Sequence, residues 1–299
     1  MERTNSATMT RHRWTILATT ALAVTATMTG AFLLGKEPST LTQRTPAPDV
    51  SMTVKPPLQL PPVKWKLSWQ DGFEGRGKPS SLWVPLSGGG GWGHKALQYY
   101  TSEHARLNGS GALVITAAKQ RNGEQCWYGS CQYISGRVQT DGTFSQRYGR
   151  FAARIKLPVG QGIWPAFWLK TPNAGTIHSD TYGEIDIAEI IGGKPRLLQA
   201  FEHAGNHRFA ASMLLDHSLD SKYHTYGVDV TPSSITWWLD GKPYAQLEKY
   251  PGWPYDKPLF IILNVQVGGT WPGNPNASTR FPTRMSVDWV KVYRIADPA

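Results

Sequence analysis

Tyr182-Gly183-Glu184-Ile185-Asp186-Ile187-Ala188-Glu189-Ile190 sets three carboxylates among Tyr, Gly, Ile and Ala. On a β-strand successive side chains point to opposite faces, so Glu184 and Asp186 share one face and Ile185 takes the other. Strict alternation would bring the next acid at position 188, but Ala188 is there and the acid comes one residue late. A β-bulge, in which two residues oppose one on the partner strand, returns Glu189 to the face of the other two. Three acids interleaved with Ile therefore predict a strand packed on a core, with its acidic side in a cleft.

The spacing suits one chemistry in particular. With a residue absorbed by the bulge, Glu184 and Glu189 stand about four strand steps apart, roughly 13 Å between Cα atoms. Two Glu side chains leaning together close that gap to about the 5 to 5.5 Å of a retaining glycosidase. The roughly 6.5 to 9.5 Å of an inverting enzyme is less favoured by the same arithmetic. Asp186, between them, adds a negative charge that disfavours ionisation of a neighbour. One Glu can then stay protonated as general acid while the other serves as nucleophile. A calcium site or a solvated acidic edge is also compatible with these three residues.

Outward from this stretch, the 299-residue chain reads as short strand-like runs separated by Gly, Pro, Asn and Asp. The runs are Trp65–Gln70, Leu113–Ala117, Gln132–Thr140, Arg150–Leu157, Trp164–Leu169, Glu184–Ile190, His224–Val230, Ser234–Leu239, Leu259–Val267 and Met285–Tyr293. No long stretch has a 3.6-residue apolar period, and many short strands at this spacing predict an all-β sandwich or barrel. Asp240-Gly241, between Ile235–Leu239 and Lys242–Leu247, is a hairpin signal. Residues 64–296 show no internal break and read as one domain.

The segment before it reads differently. Residues 1–13 carry Arg3, Arg11 and Arg13, and 14–35 are apolar and uncharged, which is the pattern of a signal peptide or signal anchor. The apolar run of 22 residues is also long enough to span a bilayer. Residues 36–63 hold seven prolines among Thr and Ser, an extended spacer and not a folded unit. Both readings of the leader place the rest outside the cytoplasmic membrane, secreted or anchored. In an exported chain Cys126 and Cys131 could close a local disulfide; a metal site would need more ligands than these two.

Hydrophobic residues make up 40% of the chain and charged ones 17%, compatible with a filled core. The formal net charge of +10 favours anionic surfaces such as a cell wall or membrane. It is not gathered into Lys/Arg runs, so nucleic acid is not expected as a partner. Thirteen Trp and twelve Tyr exceed what a core needs and supply platforms for sugar rings, with Trp65, Trp69, Trp237 and Trp289 expected to be structural.

Several segments together resemble glycoside hydrolase family 16, in its bulged Glu-x-Asp-x-x-Glu branch of laminarinase-like endo-β-1,3-glucanases. They are Gly88–Gly93 with Leu97-Gln98-Tyr99-Tyr100-Thr101, Ser135-Gly136-Arg137, Tyr148-Gly149-Arg150-Phe151 and Gly160–Trp168 with its Trp-Pro-Ala-Phe-Trp. Further on come Tyr182–Ile190, His224-Thr225-Tyr226, Val267–Gly273 and Val287–Tyr293. The resemblance implies a concanavalin-like β-jelly-roll of two packed sheets with a concave substrate cleft. It implies Glu184 as nucleophile, Glu189 as general acid/base and Asp186 as the helper that orients the nucleophile or shares its proton. Trp164 and Trp168 are implied to stack on sugar, with Arg137 and His203 in the cleft and Trp92 and Trp271 lining its outer part. For Arg137 a structural ion pair is the competing reading.

The implied activity is exported, retaining hydrolysis of β-1,3-glucan by a monomer that needs no cofactor. A non-catalytic glycan binder, a transglycosylase or a galactanase on the same scaffold are the alternatives. Two places depart from the family pattern. His94-Lys95-Ala96 stands where Asn-Asn-Glu is common, and Asp71-Gly72-Phe73 lacks a carboxylate that often supports a structural calcium beside an Asp such as Asp288.

Overall fold

The computed structural model describes residues 63–120, 123–172 and 178–296. The expected leader, and the expected spacer up to residue 62, lie outside the described residues. No helix among the described residues is long and apolar enough to cross a membrane.

Two large sheets, antiparallel except where Gln98–Tyr100 runs parallel to Tyr133–Ser135, make up most of the domain, beside a two-stranded hairpin of Gln125–Cys126 and Gly129–Ser130. The smaller has seven strands, ordered across it as His207–Leu214, Leu197–Ala204, Glu184–Glu189, Ile163–Lys170, Phe260–Val267, Arg137–Gln139 and Val84–Pro85. The larger runs Lys242–Glu248, Ser234–Leu239, His224–Val230, Gly149–Lys156, Thr283–Ile295, Leu113–Lys119, Ala105–Asn108 and Arg76–Gly77. Trp65–Asp71 also pairs with Thr283–Ile295, along its end. This is the sandwich the sequence predicts. The run expected as one strand over Gln132–Thr140 is two, Tyr133–Ser135 and Arg137–Gln139, in different sheets. They part at Gly136, where a Cβ would lie 2.5 Å from the His104 carbonyl oxygen. Leu197–Ala204 and His207–Leu214 are strands that the sequence reading passed over.

The core lies between the sheets. Ile185, Ile187, Phe167, Leu169, Ile261 and Leu263 from one meet Phe151, Ile155, Tyr226, Val228 and Trp237 from the other, all but fully buried. Asp240 and Gly241 both take positive φ, 47° and 78°, and turn Ser234–Leu239 into Lys242–Glu248 as the hairpin signal predicts.

The bulge falls in the strand of the three acids. On the neighbouring strands Trp168 and Phe201 sit opposite Asp186, while Ala166 and Gln199 sit opposite Glu189. Two residues of Leu197–Ala204 thus match three of Glu184–Glu189. A bulge disrupts the ladder locally, and the Asp186 carbonyl is satisfied instead from across the core, by the Trp237 indole N–H at 2.9 Å. Trp237→Phe removes that donor and part of a fully buried ring. We expect a loss of about 2–3 kcal/mol, a fall in Tm of roughly 5–10 °C for a domain of this size. Thermal unfolding beside the wild type measures it, and an unchanged Tm would mean that the carbonyl finds another partner.

Candidate active site

Every second residue of three strands faces the same way, and together they line a cleft of about 490 Å³. Ile163–Lys170 contributes Trp164, Ala166, Trp168 and Lys170; Phe260–Val267 contributes Asn264 and Gln266; the acidic strand contributes Glu184, Asp186 and Glu189. Tyr182, one step before that strand, joins them, as do Arg137 and the loop residues Trp92, Gly93 and His94. The bulge is what puts Glu189 on the face of the other two acids. Across Leu197–Ala204, Glu184 pairs with His203 and Glu189 with Gln199, four strand residues apart.

The three acids sit in different surroundings. Glu189 is buried, and its Oε1 accepts one hydrogen bond, from the Trp164 indole at 2.7 Å. Burial, with the nearby Asp186 charge, pushes its proton affinity well above the ordinary Glu range, against the pull of that bond. Asp186 is raised likewise, by burial first and then by Glu184 and Glu202. Its Oδ2 lies 3.4 Å from Nε2 of His203. Glu184 is the acid with neighbours that offer protons and positive charge. Tyr182 donates its hydroxyl to Glu184 Oε2, and Lys170 lies directly opposite Glu184 on the adjacent strand. The Lys170 ammonium caps the Tyr182 ring at 4.8 Å. Burial and the Glu184 charge hold the Tyr182 hydroxyl protonated far up the pH scale.

The backbone around Glu184 is pinned from below. The Tyr255 hydroxyl is 3.0 Å from the Glu184 carbonyl oxygen and 2.8 Å from Oε1 of the buried Glu202. Glu202 also takes the Tyr250 hydroxyl at 2.5 Å and lies 2.7 Å from Nδ1 of His207. Gly183 packs against Tyr255, where a Cβ would come within 2.9 Å of the ring.

Of the residues expected to contact sugar, Trp92, Arg137, Trp164 and Trp168 line this cleft. The Arg137 guanidinium lies between the rings of Trp92 and Trp168, 5.0 and 4.9 Å from their centroids. Trp168 donates to Asn264 Oδ1 at 2.8 Å, which fixes its ring. Trp271 does not line the cleft directly; it packs edge-on against Trp164 and Phe201, at 4.6 and 5.7 Å. His203 stacks beside Phe201.

The loop bearing Trp92 and His94 is clamped by a hairpin that a disulfide joins, Cys126 to Cys131. Trp127 of that hairpin donates its backbone N–H to Gly89 O at 2.9 Å and its indole N–H to Ala96 O at 2.8 Å. The Tyr128 hydroxyl reaches Leu97 O at 2.6 Å.

Tyr182, Lys170, His94, Asn264 and Gln266 belong to the cleft and were not singled out from sequence. A signal was present for four of them. Tyr182 and Lys170 stand two residues from Glu184 and Trp168, on the same face, and Asn264 and Gln266 alternate within an otherwise apolar run. Asp288, the carboxylate named above in connection with a structural calcium, has its Oδ2 2.6 Å from Arg154 Nη1.

The comparisons with known proteins point one way. The family model described as glycosyl hydrolases family 16 matches residues 94–291. A β-glucanase of Rhodothermus marinus is 34% identical over 251 residues, which cover 77% of this chain and 85% of that one. Glucan endo-1,3-beta-glucosidase A1 of Niallia circulans is 30% identical, over 83% of this chain and 41% of its own longer length. Among solved structures, the catalytic domain of an endo-1,3-beta-glucanase (laminarinase) from Thermotoga petrophila superposes with a TM-score of 0.73 at 34% identity. The match covers 79% of this chain and all of that one.

Proposed function

The chain belongs to the glycosyl hydrolases of family 16, and from that premise we propose that it cuts internal β-1,3 linkages of glucan in two displacement steps. It is a glycoside hydrolase, and its relatives and structural neighbours are β-glucanases and laminarinases. The observation that carries the mechanistic reading is the unequal treatment of the acids on one strand. Glu189 is buried and its affinity for a proton is raised, while Glu184 faces a hydroxyl donor and a lysine.

In the first step Glu184 attacks the anomeric carbon with Oε1, since Tyr182 engages Oε2. The glycosidic C–O bond breaks as Glu189 gives its proton to the departing oxygen. In the second step Glu189, now ionised, takes a proton from water. The water oxygen displaces Glu184 from the anomeric carbon, and the configuration is retained. Asp186, whose proton affinity burial and the Glu184 charge raise, stands between the two and shares a proton with Glu184 as charge there disappears and returns. Trp164 and Trp168 give the sugar rings flat apolar faces, and Arg137 supplies donors to hydroxyls.

The reaction takes place outside the cytoplasmic membrane on this reading. The basic and then apolar start of the chain supports that, as does the Cys126–Cys131 disulfide, which suits an oxidising compartment.

Incubation with β-1,3-glucan, mixed-linkage glucan and galactan polymers, with reducing ends counted and anomers followed by NMR, tests the proposal. The β-anomer of a β-1,3-glucan fragment should appear first. An initial α-anomer would remove the two-step mechanism, and turnover confined to galactan would remove the glucan assignment.

A further inference from the structure

The outward face of the larger sheet has a depression of about 520 Å³, the same size as the cleft and on the other side of the sandwich. Trp237 points into the core, so its strand neighbours Thr236 and Trp238 point out. Four strands set Gln246, Thr236, Asp229 and Arg150 directly opposite one another in a row. Three strand spacings make that row about 14 Å long, enough to follow several linked sugar rings, and Trp65 stands at its end.

The chemistry of the row is specific. Arg150 and Asp229 form a two-pronged pair at 2.7 Å on each arm, so both charges are spent on each other. The guanidinium plane lies between Trp65 and Trp238, at 5.1 and 4.9 Å, and the Trp238 indole donates to Asp229 at 3.1 Å. Trp238 lies flat because Gly227 beneath it has no side chain; a Cβ there would come within 2.1 Å of the ring. Meanwhile the Thr236 hydroxyl and the Gln246 amide have no hydrogen-bond partner among the described residues. The half-buried Trp65 ring, a neutralised ion pair braced by the buried Trp238, and uncharged donors and acceptors match a neutral polyhydroxylated chain. Among the described residues that line the depression, Arg150 is the cation, and its charge is taken by Asp229.

We infer that this face is a second, non-catalytic binding site for β-glucan, holding the polymer while the cleft cuts it. The inference rests on the glucanase reading above for the identity of the sugar.

Two substitutions test it in the full-length chain, Trp65→Ala and Gln246→Ala. Calorimetric titration of Glu184→Gln protein with soluble β-1,3-glucan oligosaccharides should resolve two classes of site, and adding either substitution should abolish one of them. In otherwise wild-type protein, turnover of short soluble oligosaccharides should stay within about twofold. Hydrolysis of insoluble β-1,3-glucan should fall about tenfold, as expected when a tethering contact is lost. A single class of site, or undiminished attack on insoluble glucan by Gln246→Ala, overturns the inference even if Trp65→Ala fails to fold. Loss of the second class at 0.5 M salt would assign the face to an anionic polymer instead and also overturns it. Wild-type protein that turns over no short oligosaccharide would instead count against the glucanase reading, whatever the titration shows.

Discussion

Glu184→Gln should lower kcat on β-1,3-glucan by about ten-thousandfold or more, the scale of removing a nucleophile from a group that acts as a unit. The amide keeps the shape of the side chain and can still meet Tyr182 and Lys170, so the fold should hold and oligosaccharide should still bind. What is lost is the attack on the anomeric carbon. Steady-state kinetics on the polymer, with calorimetry for binding, separates the two effects. A variant that turns over at wild-type rate would take Glu184 out of the role. One that neither turns over nor binds would show that the residue shapes the cleft instead.

Glu189→Ala should show a different pattern. On glucan, where the departing sugar oxygen needs a proton, kcat should fall by about a hundred- to ten-thousandfold. On aryl glycosides with acidic leaving groups the first step should be nearly unaffected, because the departing oxygen needs little help. Equal loss on both kinds of substrate would argue against an acid role.

The pH profile gives an independent reading of the same residue. Glu189 must carry its proton for the first step, and burial with the Asp186 charge raises its affinity for that proton. Activity is therefore present below the raised value and is lost as pH rises through it. The alkaline limb of kcat/KM should lie above the ordinary Glu range of about 4.3, and Glu189→Ala should erase it on the aryl substrates.

The fold was legible because its signals are local. Alternating runs, the Asp240-Gly241 turn and the late arrival of Glu189 each follow from two-residue periodicity, and the bulge follows from counting. The three acids could be found the same way, while the cleft role of Trp164 and Trp168 came from the family resemblance. What could not be read was the environment beneath the strand. That Asp186 has its carbonyl bound by Trp237, and that the buried Glu202 meets Tyr250 and Tyr255, depends on residues about fifty positions apart in sequence. The strands Leu197–Ala204 and His207–Leu214 were missed for a related reason. In Leu197–Ala204 the buried Glu202 interrupts the inward row of Leu198, Ala200 and Ala204, and in His207–Leu214 the inward row is only the short Phe209, Ala211 and Met213.

Among the described residues, the hairpin closed by Cys126 and Cys131 hydrogen-bonds its neighbour through main-chain oxygens, those of Gly89, Ala96 and Leu97. These bonds do not involve the side chains of Trp92, His94 and Lys95, whereas Gly89 and Gly91 must stay small, since a Cβ there would come within 2.7 Å of Cys126 Sγ and 3.0 Å of the Trp127 ring. Trp92, His94 and Lys95 can therefore be exchanged over evolution, as His94-Lys95-Ala96 already differs from the common Asn-Asn-Glu, while the path of the loop stays put. One rim of the cleft is in effect a mount with interchangeable fittings, and it is the natural place to retune which glucan this scaffold accepts.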